Sequence, residues 1–210
     1  HDQPRVVSRY GNDGEYRYES ATALATAFYL QRGTPIVYQG DEIAMANYPL
    51  EEIDQVADIE SSNAYTWLLE EGCSREEAFR RVRSSARDHG RTPMQWSEES
   101  NGGFTAETVS PWFPINPDYR EWNVAAQESS SQRSVLAYFR ELFALRRRER
   151  VLLRGSFEAL SLPEAPGLFA FLRRGQVGRE RILVAANLAD EPAEWGSLPQ
   201  PGELLLSNRG

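Results

Sequence analysis

Few side chains in this sequence can serve as nucleophiles, bases or metal ligands. The 210 residues include one cysteine, Cys73, and two histidines, His1 and His89. One thiol cannot form an internal disulfide, and one thiol with two imidazoles falls short of a tetrahedral zinc site. All 23 basic residues are arginine, so no lysine is present to form a Schiff base with a carbonyl substrate or with pyridoxal phosphate. No cofactor and no metal site is therefore expected. What remains is the chemistry of carboxylates and guanidiniums. By residue type alone, Asp2 beside the proline at position 4 is a turn residue, and Arg87 follows a helix end whose dipole it complements. Gln3, Glu60 and Arg91 read as solvated polar groups, and His1 as a terminal residue. No pair of carboxylates placed for acid and nucleophile work is evident.

The elements that must position these groups are easier to read. From Glu19 to Arg32, Ala21, Leu24, Ala25, Phe28 and Tyr29 recur at helical spacing, and Gly33 ends the run. Pro35-Ile36-Val37-Tyr38 is a short apolar stretch bounded by glycines, as expected of a strand buried on both faces. Helix followed by buried strand is the alternation of a barrel or a doubly wound sheet. The segment from Asp41 to Ser130 is irregular, with proline, tryptophan and asparagine crowding its second half. Such a long ordered excursion builds an active-site rim. Within it, Ser74 and Glu77 have capping-box spacing at the start of a helix to about Ser85. A further helix is expected from Ser131 to Arg150, with Val135, Leu136, Phe139, Leu142, Phe143 and Leu145 on its apolar face. After Val151 the texture changes to strand-like runs, 156–162, 168–172, 181–187 and 203–206, which predict a small antiparallel β domain.

Composition narrows the partners. A hydrophobic share of 40% supports a packed core. The net charge of -8 repels phosphate backbones and anionic lipid, so neither nucleic acid nor a membrane surface is an expected partner. No apolar run approaches the roughly 20 residues that cross a bilayer, no targeting segment is evident, and a cytoplasmic location is expected. The start at His1-Asp2-Gln3-Pro4, without an initiator methionine, looks like the middle of a longer chain. Trp67, between Thr66 and Leu68-Leu69, is expected in the core, and packing is also the expectation for Trp96, Trp112 and Trp122. Cys73 and His89 are assigned to packing or surface.

Three stretches together resemble glycoside hydrolase family 13. His1-Asp2-Gln3-Pro4-Arg5-Val6-Val7-Ser8-Arg9-Tyr10-Gly11 is similar to the family's fourth conserved region, at the end of the seventh barrel strand. Gly33-Thr34-Pro35-Ile36-Val37-Tyr38-Gln39-Gly40-Asp41-Glu42-Ile43 looks like its eighth strand. Ala86-Arg87-Asp88-His89-Gly90-Arg91-Thr92-Pro93-Met94-Gln95-Trp96 resembles the oligosaccharide α-glucosidase branch. Gly103-Phe104-Thr105, Pro111-Trp112, Asn116-Pro117 and Asn123-Val124 follow in that branch's order. The resemblance covers the chain to about Arg150.

The resemblance implies an α/β fold, the C-terminal part of a TIM (β/α)8 barrel over residues 1–150, followed by a truncated antiparallel β domain over 151–210. It implies a retaining α-glucosidase releasing glucose from short α-glucosides of the maltose, isomaltose or sucrose type. Asp2 would be the third acidic residue, a carboxylate that favours the oxocarbenium-like transition state. His1 and Arg87 would contact the glucosyl unit, and Gln3, Glu60 and Arg91 would lie on the leaving-group side. The nucleophile and the general acid belong to earlier barrel strands, so this segment alone is expected to be inactive. Its expected partners are a small α-glucoside and the upstream part of the same barrel, without which the segment is expected to be unstable. The alternatives are a non-catalytic glycosidase-like subunit, against which His1, Asp2 and Arg87 count, and a carbohydrate-binding scaffold module. The latter needs an exposed aromatic platform that residues 151–210 do not offer.

Overall fold

The computed structural model describes residues 1–130, 133–175, 180–196 and 202–209. In chain order the helices are α1 (Val6–Tyr10), α2 (Arg17–Tyr29), α3 (Ile59–Glu70), α4 (Arg75–Ser85), α5 (Val124–Ser129), α6 (Val135–Arg148) and α7 (Arg150–Arg154). Strands β1 (Ser156–Ala159), β2 (Leu168–Arg174) and β3 (Arg181–Asn187) follow. The chain divides into two units, His1–Tyr10 with Gln39–Ser129, and Gly11–Tyr38 with Ser130–Gly210. Position 150 falls inside the second unit, at the first residue of α7. No helix among the described residues is long and apolar enough to cross a membrane.

In the first unit, α3 and α4 pack through Leu50, Val56, Leu68, Ala78, Val82 and Ala86, with Cys73 half-buried at the edge. Helix α4 starts where the sequence places it, because the Ser74 hydroxyl accepts the Glu77 backbone N–H at 3.2 Å, a cap contributing about 1 kcal/mol. The Glu77 carboxylate turns outward to Arg80 and Arg81. Trp67 corrects an expectation: it is 58% exposed. Leu68 carries the contact that buries α3, and one residue earlier on a helix the side chain points about 100° away.

The irregular excursion is held by amide side chains. Buried Gln95 donates to Asp118 Oδ1 at 2.9 Å and to the Trp122 carbonyl at 2.8 Å. Asn116 caps the Pro117–Arg120 turn and donates to the carbonyls of Ala46 and Asn47, both at 3.1 Å. Asn123 accepts from the Ala126 N–H at 2.7 Å, which starts α5. Trp96 and Trp112, expected to pack, are exposed, and Trp122 is partly buried. Phe113 beside Trp112, and Met94 and Gln95 before Trp96, take the buried positions, which leaves the neighbouring rings outside.

In the second unit α2 packs on α6 and on β3. Tyr138 and Thr26 share a 2.6 Å hydrogen bond between the two helices, and the Tyr29 ring meets Phe139 and Phe143 at 5.6 and 5.4 Å. The sheet order is β1-β2-β3, antiparallel throughout, with Phe171 opposite both Ala159 and Val184. Central β2 buries Ala170 to Arg173 consecutively, being covered on both faces. Helix α6 begins at Val135 with Ser134 as its cap, its expected first residues 131 and 132 lying outside the described ones. Two expected strands are absent. Residues 35–38 form none, and Ile36 is 83% exposed. Residues 203–206 form none either. An apolar run becomes a strand only beside another strand's hydrogen-bonding edge, and no described strand pairs with either run. Phe28, expected within the stripe of α2, is also exposed.

Candidate active site

The site is built in the first unit, from the chain's first three residues, the start of α3 and the 3-10 turn Arg87–Arg91. Arg5, at the edge of α1, fastens the first of these to the last. It is 1% exposed. Its Nε donates to the His89 carbonyl at 3.1 Å, Nη1 to the Gln39 carbonyl at 2.6 Å and Nη2 to Thr92 Oγ1 at 3.1 Å. Its backbone N–H reaches Asn47 Oδ1 at 2.8 Å. Gly90 completes the join, since a Cβ there would lie 2.7 Å from the Gln3 carbonyl oxygen. The turn and the N-terminal segment therefore touch backbone to backbone.

This scaffold brings the six sequence-selected residues into one cluster. Arg87 Nη1 and Arg91 Nη2 each stand 3.6 Å from Asp2 Oδ1, and His1 Nε2 is 3.4 Å from Asp2 Oδ2. Arg87 also pairs with Glu60 in the first turn of α3. Arg91 Nε donates to the His1 carbonyl at 3.1 Å. Gln3 joins through its backbone at Gly90, while its side chain accepts from Arg9. The Asp2 side chain is 56% exposed on the side away from the arginines. These neighbours do not enclose Asp2 in a pocket. What they make is one wall: a carboxylate backed by two guanidinium forks and an imidazole, open in front.

Two further residues of the cluster, Asp58 and Asp88, are missed by sequence reading, and His89, assigned to packing or surface, is buried beside them. Asp58, at 4% exposure, caps α3 by accepting from the Ser61 N–H at 3.0 Å and holds Arg91 Nη1 at 3.0 Å. Burial opposes its ionisation, but the Ser61 and Arg91 hydrogen bonds together outweigh it and hold the carboxyl below the usual aspartate range. Asp88, also buried, accepts from the backbone N–H groups of Ala57 and Asp58 at 2.9 and 3.1 Å. His89 is 2% exposed, with Nε2 2.6 Å from the Arg83 carbonyl and Nδ1 without a partner. Burial, the largest influence, pushes its pKa down; the Arg83 carbonyl and Asp88 pull it up, and Arg5 and Arg83 add to the depression. The only advance signal for Asp58 is its place before a helical run, a usual N-cap position.

The family model described as the alpha amylase catalytic domain matches residues 1–155. The oligo-1,6-glucosidase of Bacillus cereus is 43% identical over 214 residues, taking in 99% of this chain and 37% of that protein. The glucan 1,6-alpha-glucosidase of Streptococcus pneumoniae is 45% identical over 209 residues, or 99% of this chain and 38% of its own length. Among solved structures, the trehalose-6-phosphate hydrolase of Bacillus licheniformis superposes with a TM-score of 0.88 at 36% identity, covering 99% of this chain and 38% of that one. The chain thus spans well under half the length of these relatives. From the match over residues 1–155 and identities of 43% and 45% in alignments that cover 99% of it, the chain belongs to the α-amylase family, glycoside hydrolase family 13.

Proposed function

We propose that this chain supplies the C-terminal share of a retaining α-glucosidase, with Asp2 as its transition-state carboxylate. Residues 1–150 would complete a (β/α)8 barrel and residues 151–210 would form its C-terminal β domain. The observation that carries the reading is the convergence of His1, Arg87 and Arg91 on Asp2. In a retaining mechanism an upstream aspartate attacks the anomeric carbon while an upstream glutamic acid protonates the departing oxygen; water then hydrolyses the glucosyl ester with that glutamate as base. Positive charge builds on the sugar ring in both steps. A carboxylate held in place beforehand favours that charge without reorganising. His1 and Arg87 would donate to glucose hydroxyls, and Gln3, Glu60 and Arg91 would face the leaving group. The names of the relatives, several of them 1,6-glucosidases, favour short α-1,6-linked glucosides as substrates.

Joining the chain to the upstream barrel segment and assaying glucose release from isomaltose, maltose and sucrose tests this. The joined protein is expected to be active and the 210-residue chain alone inactive. Asp2→Asn in the joined protein is expected to lower kcat by roughly a thousandfold, the upper range for losing one preorganised electrostatic group. Near-normal turnover in that variant, or glucose release by the chain alone, would refute the reading.

A further inference from the structure

Arg91 divides its guanidinium among three acceptors: the His1 carbonyl at 3.1 Å from Nε, Asp58 Oδ1 at 3.0 Å from Nη1, and Asp2 Oδ1 at 3.6 Å from Nη2. Of these, Asp58 is fixed from behind. It is buried, its Oδ2 accepts from both the N–H and the hydroxyl of Ser61 at 3.0 and 2.9 Å, and its own N–H is held by Asp88. Asp88 lies in the same 3-10 turn as Arg91. The ties close a loop: the turn grips the start of α3 through Asp88, and the start of α3 grips the turn through Asp58 and Arg91. The neighbouring pair of Arg87 and Glu60 has no such backing, since the Glu60 side chain is 65% exposed.

We propose that Asp58 is a positioning residue of this site, holding Arg91 so that one guanidinium fixes both the backbone at His1 and the carboxylate of Asp2. The inference rests on the glycosidase reading for its effect on turnover, though the placement itself does not. Asp58 touches no reacting atom. Its effect passes through Arg91, whose planar fork reaches three acceptors in fixed directions. A misplacement of Asp2 by about 1 Å is enough to lower turnover a hundredfold. Asparagine at position 58 separates this role from helix capping, because it caps as well as aspartate but brings no charge to Arg91.

The test uses the joined protein. Asp58→Asn is expected to lower kcat on isomaltose about tenfold or more, with KM changed less than about threefold, the pattern of a lost transition-state interaction. Arg91→Gln is expected to do likewise, and the double variant to be no worse than Arg91→Gln, as coupled sites require. Ser74→Ala, which removes the cap of α4, controls for lost stability and is expected to leave kcat unchanged. A second readout needs no turnover: hydrogen exchange of the Arg91 Nε–H, followed by NMR with 15N-arginine and assigned by its loss in Arg91→Lys. Exchange is expected to quicken at least tenfold in Asp58→Asn. Unchanged exchange with unchanged kcat, or additive losses in the double variant, overturn the proposal. Quickened exchange in a joined protein that cleaves no α-glucoside upholds the placement and sinks the glycosidase reading. Should Asp58→Asn fail to fold, Arg91→Lys serves, since an ammonium cannot span the three acceptors; wild-type kcat there also overturns the proposal.

Discussion

Gly90 is in contact with the carbonyl of Gln3 where any side chain would force the two segments apart. Arg87 and Arg91 flank it by three residues and one, so a shift at Gly90 moves both guanidiniums relative to Asp2. Gly90→Ala in the joined protein is expected to lower kcat/KM by tenfold or more, in line with about 1 Å of displacement, and to destabilise by about 1–3 kcal/mol through overpacking. Glu60→Gln should behave in the opposite way. Its pair with Arg87 is exposed, so urea unfolding is expected to shift by no more than about 0.5 kcal/mol, while KM for isomaltose rises if Glu60 faces the leaving group. At this scale the sequence yielded the partners of Asp2 through matched motifs, not through chemistry. By type alone Asp2 and Arg87 read as a turn residue and a helix-end residue. Asp58 and Asp88 stayed hidden because their work is hydrogen bonding to Ser61, Arg91 and the backbone of Ala57 and Asp58, contacts over up to 33 residues that periodicity cannot reveal.

Among the elements, buried arginines do the joining that strand pairing does elsewhere. The carbonyls ending α2 have no further helical turn to accept from. Arg146 of α6 donates to those of Tyr29 and Gln31 at 2.7 and 2.9 Å and to that of Gly33, and Arg173 of β2 donates to Leu30 at 2.7 Å. Arg173 also holds the carbonyls of Gly155 and Ser156, both at 3.0 Å, and so ties the entry to β1. Arg146→Met keeps much of the volume while removing the donors from three carbonyls. It is expected to destabilise the second unit by about 3 kcal/mol, read as a lower urea midpoint by circular dichroism. Arg146 stands in the last turn of α6, where an arginine usually complements the helix dipole, yet it turns inward. Helices α4 and α6 and strands β2 and β3 were legible because the capping serine of α4 and apolar periodicity are local signals, while the Ser134 cap that starts α6 went unread. The run 35–38 was misread for the opposite reason, since its texture says only that it suits a strand, and pairing depends on a neighbouring edge.

For the molecule as a whole, acid has two opposed effects. Protonating carboxylates reduces the net charge of -8, which relieves self-repulsion and favours the folded state. The buried groups of the first unit act against this. His89 has its pKa lowered in the folded chain, chiefly by burial, so the unfolded chain binds the proton first as pH falls. Its contribution is complete above the unfolded value of about 6.5 and is lost progressively below it. A proton on Nδ1 would place an N–H without an acceptor beside the guanidinium of Arg5. Asp58, also lowered, acts in the same direction but in a window beginning near the unfolded aspartate value of about 3.9. The local effect is expected to win, because repulsion among exposed charges is screened within about 10 Å at 0.1 M salt whereas a buried imidazole is not. Four of this chain's five tryptophans, Trp67, Trp96, Trp112 and Trp122, lie in the first unit, so in the joined protein, with any upstream tryptophans replaced by phenylalanine, fluorescence reports chiefly its unfolding. The urea midpoint by fluorescence is expected to fall between pH 7.5 and 5.5 in wild type. His89→Gln, whose amide can still donate to the Arg83 carbonyl, is expected to cost about 1–2 kcal/mol at pH 7.5 and to show a flat midpoint across that range. An equal slope in the two proteins would assign the acid sensitivity to other groups.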